Sequence, residues 1–153
     1  MRRFLASAWF PFLTCLILAG ATVAAYALVL KPSGADLPSD ALNIGKIAGW
    51  ATGPVMALLS LIVIFILNGI RRLLRIRMIG WLHPVIVLIG IAPWAAFAWQ
   101  MVMNEPRYTP VARVVIDFAG KPLFLGVFAA IVFVVLMSLL ALLFRGTTSS
   151  KRT

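Results

Sequence analysis

The run Gly49-Trp50-Ala51-Thr52-Gly53-Pro54-Val55-Met56-Ala57-Leu58-Leu59-Ser60-Leu61-Ile62-Val63-Ile64-Phe65-Ile66-Leu67-Asn68-Gly69-Ile70, followed at once by Arg71-Arg72-Leu73-Leu74-Arg75-Ile76-Arg77, decides the fold class. From Ile47 to Ile70 there is no Lys, Arg, Asp or Glu. About 20 helical residues, each rising about 1.5 Å, cross a hydrocarbon core of about 30 Å. The stretch is therefore a membrane span that ends in a cluster of cations.

Working outward, three more runs have the same property, giving spans over approximately 4–30, 47–70, 79–103 and 123–144. Each can bury its full length in lipid without stranding a charge. The chain is 63% hydrophobic and 12% charged, with a mean hydropathy of +1.05, more apolar than a water-soluble domain can present to solvent. A disordered chain is too polar to match this composition. A transmembrane barrel would need alternating segments of about ten residues in place of continuous runs. The sequence predicts an all-α, polytopic membrane protein, residues 1–153 forming a single transmembrane domain with four transmembrane helices in a bundle.

Four spans put both termini on one side. That face collects Arg2, Arg3, Arg71, Arg72, Arg75, Arg77, Arg145, Lys151 and Arg152 and no acid, while the other mixes Lys31, Lys46, Arg107, Arg113 and Lys121 with Asp36, Asp40, Glu105 and Asp117. The positive-inside bias makes the first face cytoplasmic, an N-in/C-in topology in a cell membrane of the bacterial inner-membrane kind. Trp9 and Trp81 at the inner ends, and Tyr26, Trp50, Trp99 and Tyr108 at the outer ends, match aromatic belts. Arg71, Arg72, Arg75 and Arg77 fit contact with anionic lipids, at about 1 kcal/mol per residue near a charged surface, or with an acidic partner. No nucleic acid is expected despite the pI near 11.5, because no water-facing segment is long enough to gather cations beside stacking aromatics. Met1-Arg2-Arg3 and Ala25-Tyr26-Ala27 also resemble a cleavable signal, but an apolar run from Phe4 to Leu30 outlasts the about 7–15 residues of a signal core.

Helices in lipid associate through close packing of small residues and buried hydrogen bonds. Gly49, Gly53 and Ala57 recur every four residues, and Ser60, Ile64 and Asn68 continue that face. Gly20 with Ala24, Ala21 with Ala25, and Gly126 with Ala130 offer shorter versions. These faces close the protein's own bundle or meet a membrane-protein partner or a second copy. Pro54 would free the carbonyl of Trp50, and Pro93, one turn after Gly90, would free that of Ile89, so both mark expected kinks. The outer segment 31–46 reads as a loop in which Ser39 caps a short helix, and Arg113–Phe118 reads as an interfacial helix or a short extended piece. An alignment of Pro11 with Pro84 suggests a parallel repeat, but its matches are few and in a restricted alphabet.

His83 is the only histidine and Cys15 the only cysteine, and all four carboxylates fall in the outer segments. A His–carboxylate pair would need to span about 30 Å, so general acid–base or nucleophilic catalysis is not expected, nor is a zinc site or any cofactor. Ionisable residues are missing from the spans, which disfavours proton-coupled transport. The leading expectation is a non-enzymatic accessory or scaffolding subunit acting through helix–helix contacts. One alternative is a small oligomeric transporter or channel using a Gly90–Pro93 helix break, lined by groups such as Thr14, Thr22, Ser60, Asn68, Gln100 and Ser138. Another is a membrane cytochrome in which His83 of paired subunits holds a haem.

Overall fold

Backbone amides with no water to bond must bond within their own segment, so long apolar runs fold as helices. The computed structural model describes residues 5, 7–29, 39–76, 81–104, 107 and 109–146. Among them, α1 spans Trp9–Val29, α2 Ser39–Leu73, α3 Leu82–Met103, α4 Pro110–Val115 and α5 Lys121–Gly146. A π-helical turn, Ile116–Gly120, joins α4 to α5. Four of the described helical stretches are long and apolar enough to cross a membrane, and they form an all-α bundle. The first residues, including Arg2 and Arg3, the segment 30–38, residues 77–80 with Arg77, Glu105, Tyr108 and the tail beyond 146 lie outside the described residues.

The second and fourth spanning helices outgrow their expected spans. α2 has 35 residues and begins at Ser39, so Ser39 opens the long helix in place of capping a short separate one. At about 1.5 Å per residue it rises about 53 Å, beyond the about 40–45 Å of a bilayer with its headgroups, so its ends project past the apolar layer unless it tilts strongly. The fourth span also starts early. Thr109 caps α4 by accepting from the Ala112 amide at 3.4 Å, and Pro110 takes the first helical position, where a missing N–H is harmless. Pro122 then has no N–H to give, and in an unbroken α-helix its ring would strike the Phe118 carbonyl. The chain widens by one residue just before it, with the Lys121 amide donating to the Ile116 carbonyl five residues back. Asp117 and Lys121, one turn apart, pair across this widening.

α1 lies between α2 and α5, and α3 closes the opposite side against the same two helices. One stripe of α1, spaced every four residues, is buried: Phe10, Thr14, Leu18, Thr22 and Tyr26. Glycines receive it. A Cβ placed on Gly126 of α5 would collide with the Thr22 Oγ1 and lie 2.8 Å from the Leu18 carbonyl oxygen. On Gly53 of α2 it would lie 2.9 Å from the Thr22 Cβ and 3.0 Å from the Ala19 carbonyl oxygen, and on Gly49 it would enter the Tyr26 ring. Thr22 is thus enclosed between glycines of two helices. α3 docks on α2 by the same device, since a Cβ on Gly90 would lie 2.6 Å from the Ile64 Cγ1. Leu18, Ile64, Val87, Ile91, Leu123, Val127 and Val134 fill the interior.

Gly126→Ala is expected to destabilise the bundle by about 1–3 kcal/mol through overpacking against Thr22. Gly20→Ala, where nothing lies within 4 Å, should change stability by less than about 1 kcal/mol and in the favourable direction, as helix propensity dictates. Denaturant titration of the two variants in the same detergent measures the contrast.

Candidate functional site

Two places gather unusual chemistry. The first is the seam just described, and it extends further than the four-residue spacing read from Gly49. Gly45 continues it: a Cβ there would lie 3.0 Å from both Phe118 and Val114 side chains. The end away from the arginines is closed by aromatics, with the Tyr26 ring 5.5 Å from Trp50 and 6.0 Å from Phe118. Tyr26 is therefore a core residue, a correction to its reading as a belt residue. The space left by Gly49 draws the ring inward. Trp9, Trp50, Trp81 and Trp99 are exposed on the bundle surface. Ala57, Ser60 and Ala130 are buried, Ala130 on α5 within the core cluster.

The prolines sit differently from these glycines. α2 runs through Pro54 and α3 through Gly90 and Pro93 without interruption, and both prolines are exposed on the outer surface while Gly90 is buried against α2. α3 stays helical through this turn, and Pro93 leaves the Ile89 carbonyl without its helical donor on an exposed side of the bundle. Four of the polar side chains named for a path are turned back on their own helices, while the Ser60 hydroxyl is buried without a partner. Thr14 donates to the Phe10 carbonyl at 2.8 Å, Thr22 to Leu18 at 2.7 Å, Asn68 to Ile64 at 3.1 Å and Ser138 to Val134 at 2.7 Å. Gln100 is exposed on the outside of the bundle.

The second place is the arginine-rich end, where α1 begins, α2 ends and α3 begins. α2 terminates with the Arg75 amide donating to the Arg72 carbonyl at 3.1 Å and the Ile76 amide to the Arg71 carbonyl at 3.2 Å. This is the Schellman pattern, and the residue at its left-handed position is Arg75, with φ of 52°, where glycine is the usual occupant. A side chain in that conformation costs about 1 kcal/mol or more, so the cation is kept at a conformational penalty. Arg71 and Arg72 occupy the last turn of α2, where cations meet the negative end of the helix dipole.

Between these ends lies a partly open cavity of about 200 Å³. Pro11, Ile64 and Phe65 supply apolar walls, and Asn68, Arg71, Arg72 and His83 supply polar groups. His83 is buried with its ring 6.1 Å from Phe10, and neither ring nitrogen has a partner. The Asn68 Oδ1 and Arg71 Nε are buried and unpartnered as well. Each such atom costs about 1–3 kcal/mol if left unsatisfied, and sequence spacing gave no sign that His83 meets the other two. The cavity is smaller than the about 300–1,000 Å³ that drug-sized ligands occupy.

No family model, curated protein or solved structure matches this chain.

The 22 residues of α3 separate His83 from the far end by about 33 Å. The described carboxylates, Asp40 and Asp117, belong to that far end. Among the described residues, no three His, Cys, Asp or Glu side chains are grouped to hold a metal ion. Cys15 is free and buried. The chain is a small all-α membrane protein whose polar convergence lies at one end of the bundle.

Arg75→Gly should raise stability by about 1 kcal/mol by relieving the left-handed residue. It should also weaken association of the detergent-solubilised chain with anionic lipid, where each juxtamembrane cation contributes about 1 kcal/mol. Unfolding midpoints and a titration of anionic lipid into the detergent-solubilised protein read the two opposing effects.

Proposed function

We propose that this chain is a non-enzymatic accessory subunit of a bacterial inner membrane, acting through helix–helix contacts, with both termini cytoplasmic. The carrying observation is the outer face of α1. Gly45, Gly49, Gly53, Gly90 and Gly126 are all occupied by neighbours within the bundle, whereas Gly20 of α1 and Gly69 near the end of α2 meet nothing within 4 Å, and Gly20 alone of these two has exposed alanines, Ala24 and Ala27, one and two turns on. A helix that offers small residues outward lets another backbone approach closely, which is how membrane helices associate. The remaining outer surface carries bulky Leu58, Ile62, Phe65 and Leu136, suited to lipid chains. A second copy or a different membrane protein would seat on α1.

Charge supports the orientation. Arg71, Arg72 and Arg75 crowd one end, while Asp40 and Asp117 are mixed with Lys46, Arg107, Arg113 and Lys121 at the other. In a short-looped protein this asymmetry holds the cationic end on the cytoplasmic side.

In native membranes, cysteines introduced at Gly20 or Ala24 should form oxidative cross-links, to another copy or to a partner band, while one at Leu58 should not; equal absence at all three positions contradicts the proposal. In intact cells, a membrane-impermeant maleimide should label Ser39→Cys from outside and Arg72→Cys only after permeabilisation. The reverse pattern inverts the topology.

A further inference from the structure

The polar atoms converging on the cavity between the start of α1, the end of α2 and the start of α3 specify what would satisfy them. We propose that this cavity binds the headgroup of one anionic phospholipid, a phosphate diester that carries a free hydroxyl, as phosphatidylglycerol does. The inference rests on the membrane-embedded reading, which sets the arginine-rich end at headgroup level. It does not depend on what contacts α1.

Donor and acceptor bookkeeping leads there. Asn68 gives its Nδ2 to the Ile64 carbonyl, which fixes its Oδ1 as a free acceptor. Arg71 gives Nη1 to the Ile76 carbonyl at 3.3 Å and keeps Nε as a free donor. A neutral imidazole adds one donor and one acceptor, and both His83 nitrogens are open. The site therefore asks for acceptors and donors together. Arg71 and Arg72 add positive charge, and no Asp or Glu lines the cavity. A phosphate meets the donors and the charge. A bare phosphate would leave Asn68 Oδ1 facing an anion, and a choline headgroup would bring a cation to the arginines and no donor. A hydroxyl beside the phosphate supplies the missing donor. Phe65, which lines the cavity, is also exposed on the lipid-facing surface, so the glycerol backbone and chains can leave along it. Water-soluble glycerol phosphate shares the headgroup chemistry, and the apolar walls favour the lipid.

Native mass spectrometry of the full chain in detergent, titrated separately with phosphatidylglycerol, phosphatidylethanol and phosphatidylcholine, tests this. One phosphatidylglycerol should bind roughly tenfold or more tightly than either other lipid, the scale of one charge-assisted or hydroxyl hydrogen bond gained. His83→Phe and Asn68→Leu should erase the preference over phosphatidylethanol, which carries the same charge, and Arg75→Gln, outside the cavity lining, should keep it. Equal binding of phosphatidylethanol overturns the hydroxyl, and loss of preference in Arg75→Gln equal to that in His83→Phe overturns the cavity in favour of diffuse surface charge. Nitrogen-15 NMR of the single histidine needs no variant. Its imidazole resonances should move with phosphatidylglycerol and stay fixed with phosphatidylcholine. The same movement with glycerol 3-phosphate alone overturns the lipid as source, and no movement with any of the three overturns the site. Maleimide sidedness is read separately, so an inverted topology and an empty cavity give different results.

Discussion

The close approach of three helices at Thr22 is the constraint from which the rest of the bundle follows. Lipid chains are as apolar as leucine, so helices gain little by hiding apolar surface from one another and must gain by contact at short range. Gly53 and Gly126 permit that contact, and Thr22 fills the space with its hydroxyl satisfied by the Leu18 carbonyl. Once α1 is seated there, its four-residue stripe carries Tyr26 into the aromatic cluster. At the other end it brings Phe10 against Phe133 at 6.1 Å. α3 is held by fewer such approaches, chiefly Gly90 against Ile64.

The packing explains the polar asymmetry between the two ends. At the end away from the arginines the π-helical turn before Pro122 swings Phe118 over Gly45 and Tyr26, and space is filled by rings. At the arginine-rich end α2 stops in a Schellman turn with Arg75 in a glycine conformation. There the start of α1 contributes only Ala8 and Pro11 to the lining. Small residues on one side and a terminating helix on the other leave a gap. The polar groups that border it come from two separate elements, Asn68, Arg71 and Arg72 from α2 and His83 from α3, which is why their meeting has a recognition reading beyond topology.

Much of this was legible before any coordinates. Charge-free runs give the helices, because a span must exclude charge along its whole length. Gly49 and Gly53 stand out since a four-residue repeat of glycine marks one helix face. What escaped depended on partners distant in sequence. Gly45 looked like loop because Lys46 interrupts the apolar run, although helix geometry carries on through a charge. Tyr26 looked interfacial because its burial is decided by a missing Cβ on another helix. Pro93 suggested a break, yet it faces outward on an uninterrupted α3, and the residue one turn earlier, Gly90, carries the packing. Asn68 and Arg71, three residues apart on α2, share a face, but the arrival of His83 beside them has no linear signature.

The most direct measurement is a double-mutant cycle in detergent between Thr22→Ala and Gly126→Ala, scored by unfolding free energy. If the two positions compete for one space, removing the Thr22 hydroxyl, the atom nearest the new methyl on α5, relieves the worst of the overlap, although the Leu18 carbonyl oxygen at 2.8 Å remains. The double variant should then be more stable than the sum of the single changes by about 1–2 kcal/mol. Additivity within about 0.5 kcal/mol would mean that the positions do not touch, and that α1 is not held between α2 and α5 in the way described.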